Sequence, residues 1–176
     1  KKANEKMTCN PMSCYGVGKL TSEKYLEIFK KRIPYISLRM FNVYGPGQDM
    51  NNLRQGMVSI YLAQAIKNNK ILVKGSLSRV RDFIFIKDVV NIWFRLSKSK
   101  IKNQIFNLGT GKPTKVSFLI DKIKKIIPGI KINIKGNTPG DQNFVCADSK
   151  KLKQKLKIKT FTSLNNGLKI FKKSVI

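Results

Sequence analysis

The chain has 176 residues, of which 36 are Lys or Arg and 9 are Asp or Glu, and its formal net charge at pH 7 is +27. Because 41% of the residues are hydrophobic, the chain is not a disordered basic tail. No apolar run in the sequence is long enough to span a membrane. It contains no histidine, which excludes histidine-based catalytic triads and histidine-ligated metal sites within this chain.

The excess of positive charge is an excess of lysine. The chain has 30 Lys and 6 Arg together with 21 Ile and 15 Asn, and the codons of Lys, Ile and Asn are all A/T-rich. Arginine is the preferred residue for bidentate recognition of phosphates and bases, so a low-GC genome explains the lysines better than a nucleic-acid partner does. The densest stretch, residues 149–159, is interpreted as a solvated helix face, with a patch for nucleic acid or another acidic surface as the alternative.

The cysteines point to a reducing compartment. Cys9, Cys14 and Cys146 are odd in number and match no metal-ligand spacing, so we expect neither a disulfide framework nor a metal site. Free thiols fit the cytoplasm best. The chain begins with Lys rather than Met and no leader pattern follows, which favours a processed chain or a fragment.

Apolar periodicity predicts helices that alternate with strands after a polar loop at the start of the chain. The predicted elements are a loop over 1–13, a helix over 14–31, a buried strand over 35–41, a loop over 42–48, a helix over 56–69 and a strand over 71–74. They continue with a strand over 81–86, a helix over 88–97 that is buried nearly all round, and a strand over 104–108 that turns at 109–111.

The last third of the chain continues the alternation. A helix capped by Ser117 is expected to reach residue 127, and a one-sided strand follows over 130–134. Residues 144–147 are a further strand candidate, and two short helices close the chain, the last with Leu164, Leu168 and Phe171 on one face. This order defines an α/β protein, and a sheet that opens on a helix suggests that its first strands are missing.

Tyr15 and Lys19 form the most informative pair of residues. They are one helical turn apart, so the phenol and the ammonium are expected on the same face. A free tyrosine has a pKa of about 10, and a fixed cation beside it favours the phenolate. Tyr15 is therefore a candidate general acid/base, although Tyr-x-x-x-Lys by itself also fits the start of an ordinary amphipathic helix.

Five motifs occur in order along the chain. They are Pro11–Glu23, Leu38–Pro46, Arg81–Asp88, Phe106–Gly111, and Pro139–Asp141 followed by Ala147–Asp148. In this order and spacing they resemble the carboxyl-terminal part of the extended short-chain dehydrogenase/reductases. Among these, the chain is most similar to the NAD-dependent sugar-nucleotide epimerase/dehydratases of the UDP-glucose 4-epimerase type, and the resemblance covers essentially the whole chain.

The resemblance implies the end of a Rossmann-type parallel sheet together with a smaller mixed α/β lobe. Residues 1–50 and 84–111 would complete the NAD-binding sheet, and residues 51–83 and 112–176 would form the nucleotide-sugar-binding lobe. In the family, the glycine-rich loop that seats the cofactor pyrophosphate and the catalytic Ser/Thr lie further upstream than this chain extends. The chain would thus be the back half of an enzyme and inactive by itself.

The resemblance assigns three residues to the cofactor side of the site. Tyr15 would be the catalytic acid/base, Lys19 would bond the nicotinamide ribose and lower the pKa of Tyr15, and Phe41 would lie beside the nicotinamide. The intact enzyme would oxidise the sugar at C4 with NAD, let the keto sugar rotate and return the hydride. NADP is not excluded, and dehydratase, reductase or decarboxylase chemistry of the same family is the close alternative.

Three further residues are assigned to the substrate. Asn42 would contact the nucleotide sugar near its phosphates, Arg81 would clamp the diphosphate, and Asp141 would lie near the ribose or uracil. Each has a structural alternative: Asn42 and Asp141 fit turns, and Arg81 fits a partner of Asp82 or Asp88.

One departure and the expected partners complete the comparison. Thr138 stands where many members of the family carry Arg, which puts the nucleotide recognition in doubt. The expected partner is a nucleotide-sugar substrate, with the intact enzyme a homodimer in the cytoplasm. Nucleic acid is disfavoured as a partner and a membrane is not expected, and a basic nucleic-acid-binding module is the alternative from another class.

Overall fold

Helices and strands alternate along the chain in the computed structural model, which describes residues 1–52, 55–136 and 142–176. The helices are α1 (Cys14–Phe29), α2 (Met57–Asn68), α3 (Ile86–Ser97), α4 (Val116–Ile126), α5 (Lys150–Leu156) and α6 (Leu164–Lys173). The strands are β1 (Ile36–Met40), β2 (Val43–Tyr44), β3 (Lys70–Val73), β4 (Val80–Arg81), β5 (Ile84–Phe85), β6 (Gln104–Leu108), β7 (Thr114–Lys115) and β8 (Lys131–Ile134). The alternation confirms the predicted α/β class.

Three of the four strand pairs within the described ranges are parallel. β1 pairs with β6, β2 with β5, and β3 with β8, while β4 and β7 run antiparallel. Parallel strands need crossover connections, and helices α2 and α3 lie between paired strands in the sequence. The register of β1 against β6 brings their carboxyl ends together, where the Phe41 amide donates to the Leu108 carbonyl at 3.0 Å.

Two clusters of buried apolar side chains form the core. One lies around β6, α3 and α5 and contains Ile84, Val89, Ile92, Leu96, Phe106, Leu108, Leu152 and Leu156. The other lies around α2, β3, α4 and α6 and includes Leu62, Ile71, Leu119, Ile123, Leu168 and Phe171. The predicted one-sided packing of the last helix is confirmed. Helix α5 packs against β6. The predicted division into 1–50 with 84–111 and 51–83 with 112–176 stays a prediction.

Helix α3 differs from the sequence prediction in its exposure. The prediction that it is buried nearly all round is wrong, since Val90, Trp93 and Phe94 are each more than half exposed. Its buried residues are Val89, Ile92 and Leu96, which share one face at helical spacing. The side chains of Val90, Trp93 and Phe94 therefore point away from the core. The helix also begins two residues earlier than predicted, at Ile86.

Helix α4 begins without the predicted cap. Its N-cap residue is Lys115, and no side chain caps it, so the assignment of Ser117 is wrong. The helix follows β7 directly, and its first residue, Val116, is fully buried. The Ser117 amide donates to the Leu77 carbonyl at 3.0 Å. A serine does cap α6, where Ser163 accepts from the Asn166 amide.

The remaining differences concern short strands. The predicted strand 81–86 is divided into β4 and β5, and the predicted strand 144–147 consists of two isolated bridges, Val80 with Phe144 and Ala3 with Ala147. The second bridge gives the predicted amino-terminal loop one fixed point on the rest of the molecule. No helix in the described part of the chain is long and apolar enough to cross a membrane.

Candidate active site

Tyr15 and Lys19 lie together on the exposed surface of α1. Ser13 caps this helix, with its hydroxyl accepting from the Gly16 amide at 3.1 Å. Tyr15 is 76% exposed, and the Lys19 ammonium lies over its ring at 5.3 Å from the centroid. The two side chains therefore share a face, as their spacing indicates, while their catalytic roles stay a prediction.

Every residue of α1 is exposed or half-buried. Polar contacts connect this helix with β1. The Arg39 guanidinium donates through Nε and Nη2 to the two carboxylate oxygens of Glu23 at 2.9 and 2.6 Å, and Ser37 donates to the same carboxylate at 3.3 Å. One turn further, the Tyr35 hydroxyl donates to Glu27 at 2.7 Å. Glu23 lies two turns after Tyr15, so the same region of the helix carries the reactive candidates and the anchor.

The contact between Tyr35 and Glu27 changes the ionisation of both groups. Burial, followed by the hydrogen bond to Glu27, raises the pKa of the Tyr35 phenol to about 12. The bonds from Lys30 and Tyr35 hold the pKa of the Glu27 carboxyl below its ordinary value. This pair is neutral phenol and carboxylate throughout the physiological range.

The segment before α1 is fastened to the ends of the parallel strands. Asn107 lies near the end of β6. Its backbone amide donates to the Glu5 carboxylate at 2.8 Å, and its side-chain amide donates to the Ala3 carbonyl at 2.9 Å. Arg39 Nη1 donates to the Glu5 carbonyl at 3.4 Å. The start of the chain and α1 are thus both positioned relative to β1.

Phe41 and Asn42 come directly after β1 and are half-buried. The Asn42 side-chain amide donates to the Asp82 carbonyl at 3.1 Å, and the Ile84 amide donates to the Asn42 carbonyl at 3.3 Å. Asn42 therefore connects the end of β1 with the residues between β4 and β5. Its contact with a nucleotide sugar stays a prediction.

Arg81 ends β4 beside this connection and is only 5% exposed. Its Nη1 donates to the Val80 carbonyl at 2.7 Å. Of its two proposed acidic partners, Asp88 accepts from the amide and hydroxyl of Thr162 at 2.8 and 3.1 Å. The sixth predicted site residue, Asp141, lies outside the described residues, and the assignment of both residues to the substrate stays a prediction.

Asp82 is the most heavily hydrogen-bonded side chain near the predicted site. It is fully buried, and its carboxylate accepts from the Thr110 amide at 2.9 Å, the Thr110 hydroxyl at 2.6 Å, the Gly111 amide at 2.9 Å and the Ala147 amide at 3.1 Å. A Cβ on Gly109 would lie 2.6 Å from its Oδ2. The Gly-Thr-Gly turn is therefore built around this carboxylate.

Sequence reasoning missed the role of Asp82, which was considered only as a partner of Arg81. The usable signal is an acidic residue that lies between a basic residue and the apolar run 83–86, since an unpaired buried carboxylate is too costly to persist. The Glu23–Arg39 pair was also missed. Its signal is a charged residue in the middle of the otherwise apolar strand 35–41.

The three cysteines are free thiols, with Cys9 and Cys14 exposed and Cys146 buried. Burial, together with the neighbouring Asp82 carboxylate, raises the pKa of the Cys146 thiol to about 11. Among the residues that the structure describes, no three Cys, Asp or Glu side chains are grouped as they would be around a metal ion.

The lysine-rich stretch 149–159 is only partly a solvated face. Lys151 donates to the Ile105 carbonyl and Lys153 to the Thr110 carbonyl, each at 2.8 Å. These two lysines attach α5 to β6 and to the Gly-Thr-Gly turn, whereas Lys155 and Lys157 are exposed.

The order of the helices and the parallel strand pairs define a Rossmann-type α/β protein, and comparison with known proteins identifies the family. Residues 1–109 match the NAD dependent epimerase/dehydratase family, and the chain belongs to it. A putative UDP-glucose 4-epimerase from Methanocaldococcus jannaschii is 37% identical over 123 residues, which are 69% of this chain and 39% of the relative. The dTDP-4-dehydro-6-deoxyglucose reductase of Escherichia coli is 30% identical over 94% of this chain and 53% of its own length.

A solved structure gives the same result for the fold. The UDP-glucose 4-epimerase of Thermotoga maritima, crystallised with UDP-glucose, superposes with a TM-score of 0.88 at 34% identity, over 94% of this chain and 54% of that one. The chain has the Rossmann-type α/β fold of the carboxyl-terminal part of such enzymes. It spans about half the length, or less, of the curated relatives it matches.

Proposed function

We propose that the chain is a fragment of an NAD-dependent sugar-nucleotide epimerase of the UDP-glucose 4-epimerase type, with the end of the NAD-binding sheet and the nucleotide-sugar-binding lobe. The exposed Tyr15–Lys19 pair on α1 is the observation that carries this proposal. Membership of the family and the similarity to the Thermotoga maritima epimerase support it. The similarity to a reductase makes reductase or dehydratase chemistry on the same framework the close alternative.

Tyr15 is the acid/base in this proposal. Tyr15 is exposed, so its hydroxyl can take a proton from a sugar hydroxyl and return it after the keto sugar has rotated. The ammonium of Lys19 lies over the ring of Tyr15, 5.3 Å from its centroid, where a cation is attracted by the negative face of the ring. Epimerisation leaves the overall proton count unchanged, so one residue suffices for both transfers.

The cofactor of the proposal is NAD. The donor set fits it: an ammonium that can reach ribose hydroxyls lies next to the phenol, and a half-buried phenyl ring follows β1 at Phe41. A nicotinamide held there would supply reversible hydride transfer with the sugar carbon. The part played by this chain is to hold Tyr15, Lys19 and Phe41 in place through the Arg39–Glu23 anchor.

Arg81, Asn42 and Asp141 bind the substrate in this proposal. A guanidinium suits a diphosphate because its planar N–H groups pair with two oxygens at once. The bond from Asn42 to the Asp82 carbonyl supports placing Asn42 beside Arg81. The buried Asp82 carboxylate fixes the turn next to them, which limits the motion of the site.

The proposal extends to the whole protein. The intact enzyme is a homodimer in the cytoplasm, a location that the three free thiols support. Because this chain spans about half the length of its relatives, we expect it to bind the nucleotide sugar but to turn over little or none of it alone. Measurable epimerisation of UDP-glucose by the purified 176-residue chain would contradict that expectation.

Binding of UDP-glucose to the chain tests the proposal. Arg81→Gln and Asp141→Asn are each expected to weaken binding roughly tenfold or more, because a hydrogen bond to a charged group is worth about 1.5–3 kcal/mol. Arg32→Gln removes the same charge from an exposed position and should leave the affinity unchanged. Circular dichroism confirms folding of each variant. Equal affinity in all four proteins would refute the substrate assignment.

The role of Tyr15 is tested separately in the enzyme that contains this chain. Tyr15→Phe removes only the hydroxyl, so we expect the turnover to fall by roughly 100-fold or more while binding of UDP-glucose is retained. Tyr25→Phe, at another exposed tyrosine of α1, is the matched control. Unchanged turnover in Tyr15→Phe would exclude it as the acid/base.

A further inference from the structure

A second concave site lies outside the predicted active site. It is a cleft of about 400 Å³ between the turn after β6, the exposed side of α4, α5 and the segment 159–165. Tyr15, Lys19, Phe41, Asn42 and Arg81 do not belong to its wall as far as the described residues define it. Its size falls in the range of small-molecule sites, roughly 300–1,000 Å³. We call it the lysine cleft.

Four lysines line the lysine cleft, and they come from three separate segments. They are Lys112 after β6, Lys122 on α4, and Lys153 and Lys159 on and after α5. Within the described chain, no Asp or Glu lines the cleft. Several positive charges at a concave surface reinforce one another, since the low-dielectric walls focus the field. The site therefore attracts a compact anion with more than one negative charge.

Two of these ammonium groups are held in place. Lys153 Nζ donates to the Thr110 carbonyl at 2.8 Å and lies 5.2 Å from the ring centroid of Phe161. Lys122 Nζ lies 4.8 Å from the ring centroid of Phe118. Both lysines are half-buried, so less side-chain entropy remains to be lost when a ligand binds. This distinguishes them from the exposed lysines that the composition of the chain supplies everywhere.

One acidic residue contacts the wall without entering it. The Asp88 carboxylate accepts from the amide and hydroxyl of Thr162, at 2.8 and 3.1 Å, and Asp88 is not among the lining residues. Its charge is thus engaged with the wall. The lining also carries the Thr160 hydroxyl, which is a donor for the oxygens of an anion, while the Thr114 hydroxyl donates to the Lys112 carbonyl at 3.4 Å.

We propose that the lysine cleft binds a small phosphorylated molecule through its phosphate groups. Phosphate oxygens match ammonium and hydroxyl donors, and a diphosphate carries enough charge to pair with several of the four lysines. The remaining volume leaves room for an organic part. This site is separate from the Arg81 region, so it does not depend on the proposed epimerase function.

Titration of the isotope-labelled chain with pyrophosphate, followed by NMR, tests the proposal. The amide signals of the cleft wall should shift with a dissociation constant of about 1 mM or lower at moderate salt. Lys122→Glu and Lys159→Glu should each weaken binding roughly tenfold or more. Lys100→Glu makes the same charge change at an exposed position between α3 and β6 that does not line the cleft, and it should leave the affinity nearly unchanged.

The outcomes separate this site from others. Retained pyrophosphate binding in Arg81→Gln supports a cleft distinct from the substrate region, whereas its loss overturns the proposal. An equal effect of Lys100→Glu would mean general charge attraction and would also overturn it. Saturation of the same signals only by duplex DNA would assign the cleft to nucleic acid instead. ADP that binds more tightly than pyrophosphate identifies a nucleotide as the source of the phosphate groups.

Discussion

Replacing Asp82 is the strongest test of how the Gly-Thr-Gly turn is held. Asp82→Ala removes a fully buried carboxylate that accepts from three backbone amides and one hydroxyl. Each buried donor left without a partner costs about 1–3 kcal/mol. Partial relaxation and entry of water reduce the sum, so we expect the free energy of unfolding to fall by about 3–5 kcal/mol.

Urea unfolding at pH 7, followed by circular dichroism, measures this loss. Domains of this size have an unfolding free energy of about 5–15 kcal/mol, so the loss expected in Asp82→Ala is a large part of the total. Asp82→Asn keeps one acceptor oxygen and should fall between the parent and Asp82→Ala. Asp121→Ala, at an exposed position of α4, should change stability by less than about 0.5 kcal/mol. A loss below about 1 kcal/mol in Asp82→Ala would refute the reasoning.

Three further predictions concern the packing and the anchors. Gly109→Ala places a Cβ 2.6 Å from Asp82 Oδ2 and should lower the free energy of unfolding in urea by about 1–3 kcal/mol. Gly18→Ala is the control, since its Cβ meets open space, and it should raise the free energy of unfolding by about 0.5–1 kcal/mol. The Tyr35 phenol has a pKa raised to about 12 when folded, so its contribution is complete below pH about 10 and is lost as the pH rises through 12. Tyr35→Phe should therefore lose less stability than the parent over that alkaline range. Arg39→Lys replaces the two-pronged contact with a single ammonium and should cost about 1 kcal/mol by the same assay; no loss would mean that the ion pair is dispensable.

The helices were the part of the fold that sequence periodicity predicted best. Apolar residues at helical spacing gave α1, α2 and α4 to within a few residues, and in α2 and α4 the burial of one face accounts for that pattern, whereas no residue of α1 is buried. The prediction that α3 is buried nearly all round was wrong, because composition alone does not say how much of a helix the rest of the chain covers. The helix carries Trp93 and Phe94, which suggested burial, on the face that points outward.

The short strands and the polar anchors were harder to predict. β4, β5 and β7 have two residues each, too few to show any periodicity, and their pairing depends on residues far apart in the sequence. The same holds for Asp82, whose partners at Thr110 and Ala147 are contributed by two later segments. Tyr15 and Lys19 were predictable since four residues of one helix determine their relative positions.

The shallow seating of α1 has a consequence for motion. Its residues are exposed or half-buried, and a few polar contacts to β1 replace the apolar contacts that hold the other long helices. Amide protons of α1 should therefore exchange with solvent sooner than those of α4, through openings that leave the core intact. A ligand that touches both α1 and the end of β1 would slow this exchange in proportion to its occupancy. The lifetime of the closed helix is thus a direct reporter of whether the Tyr15 face is engaged.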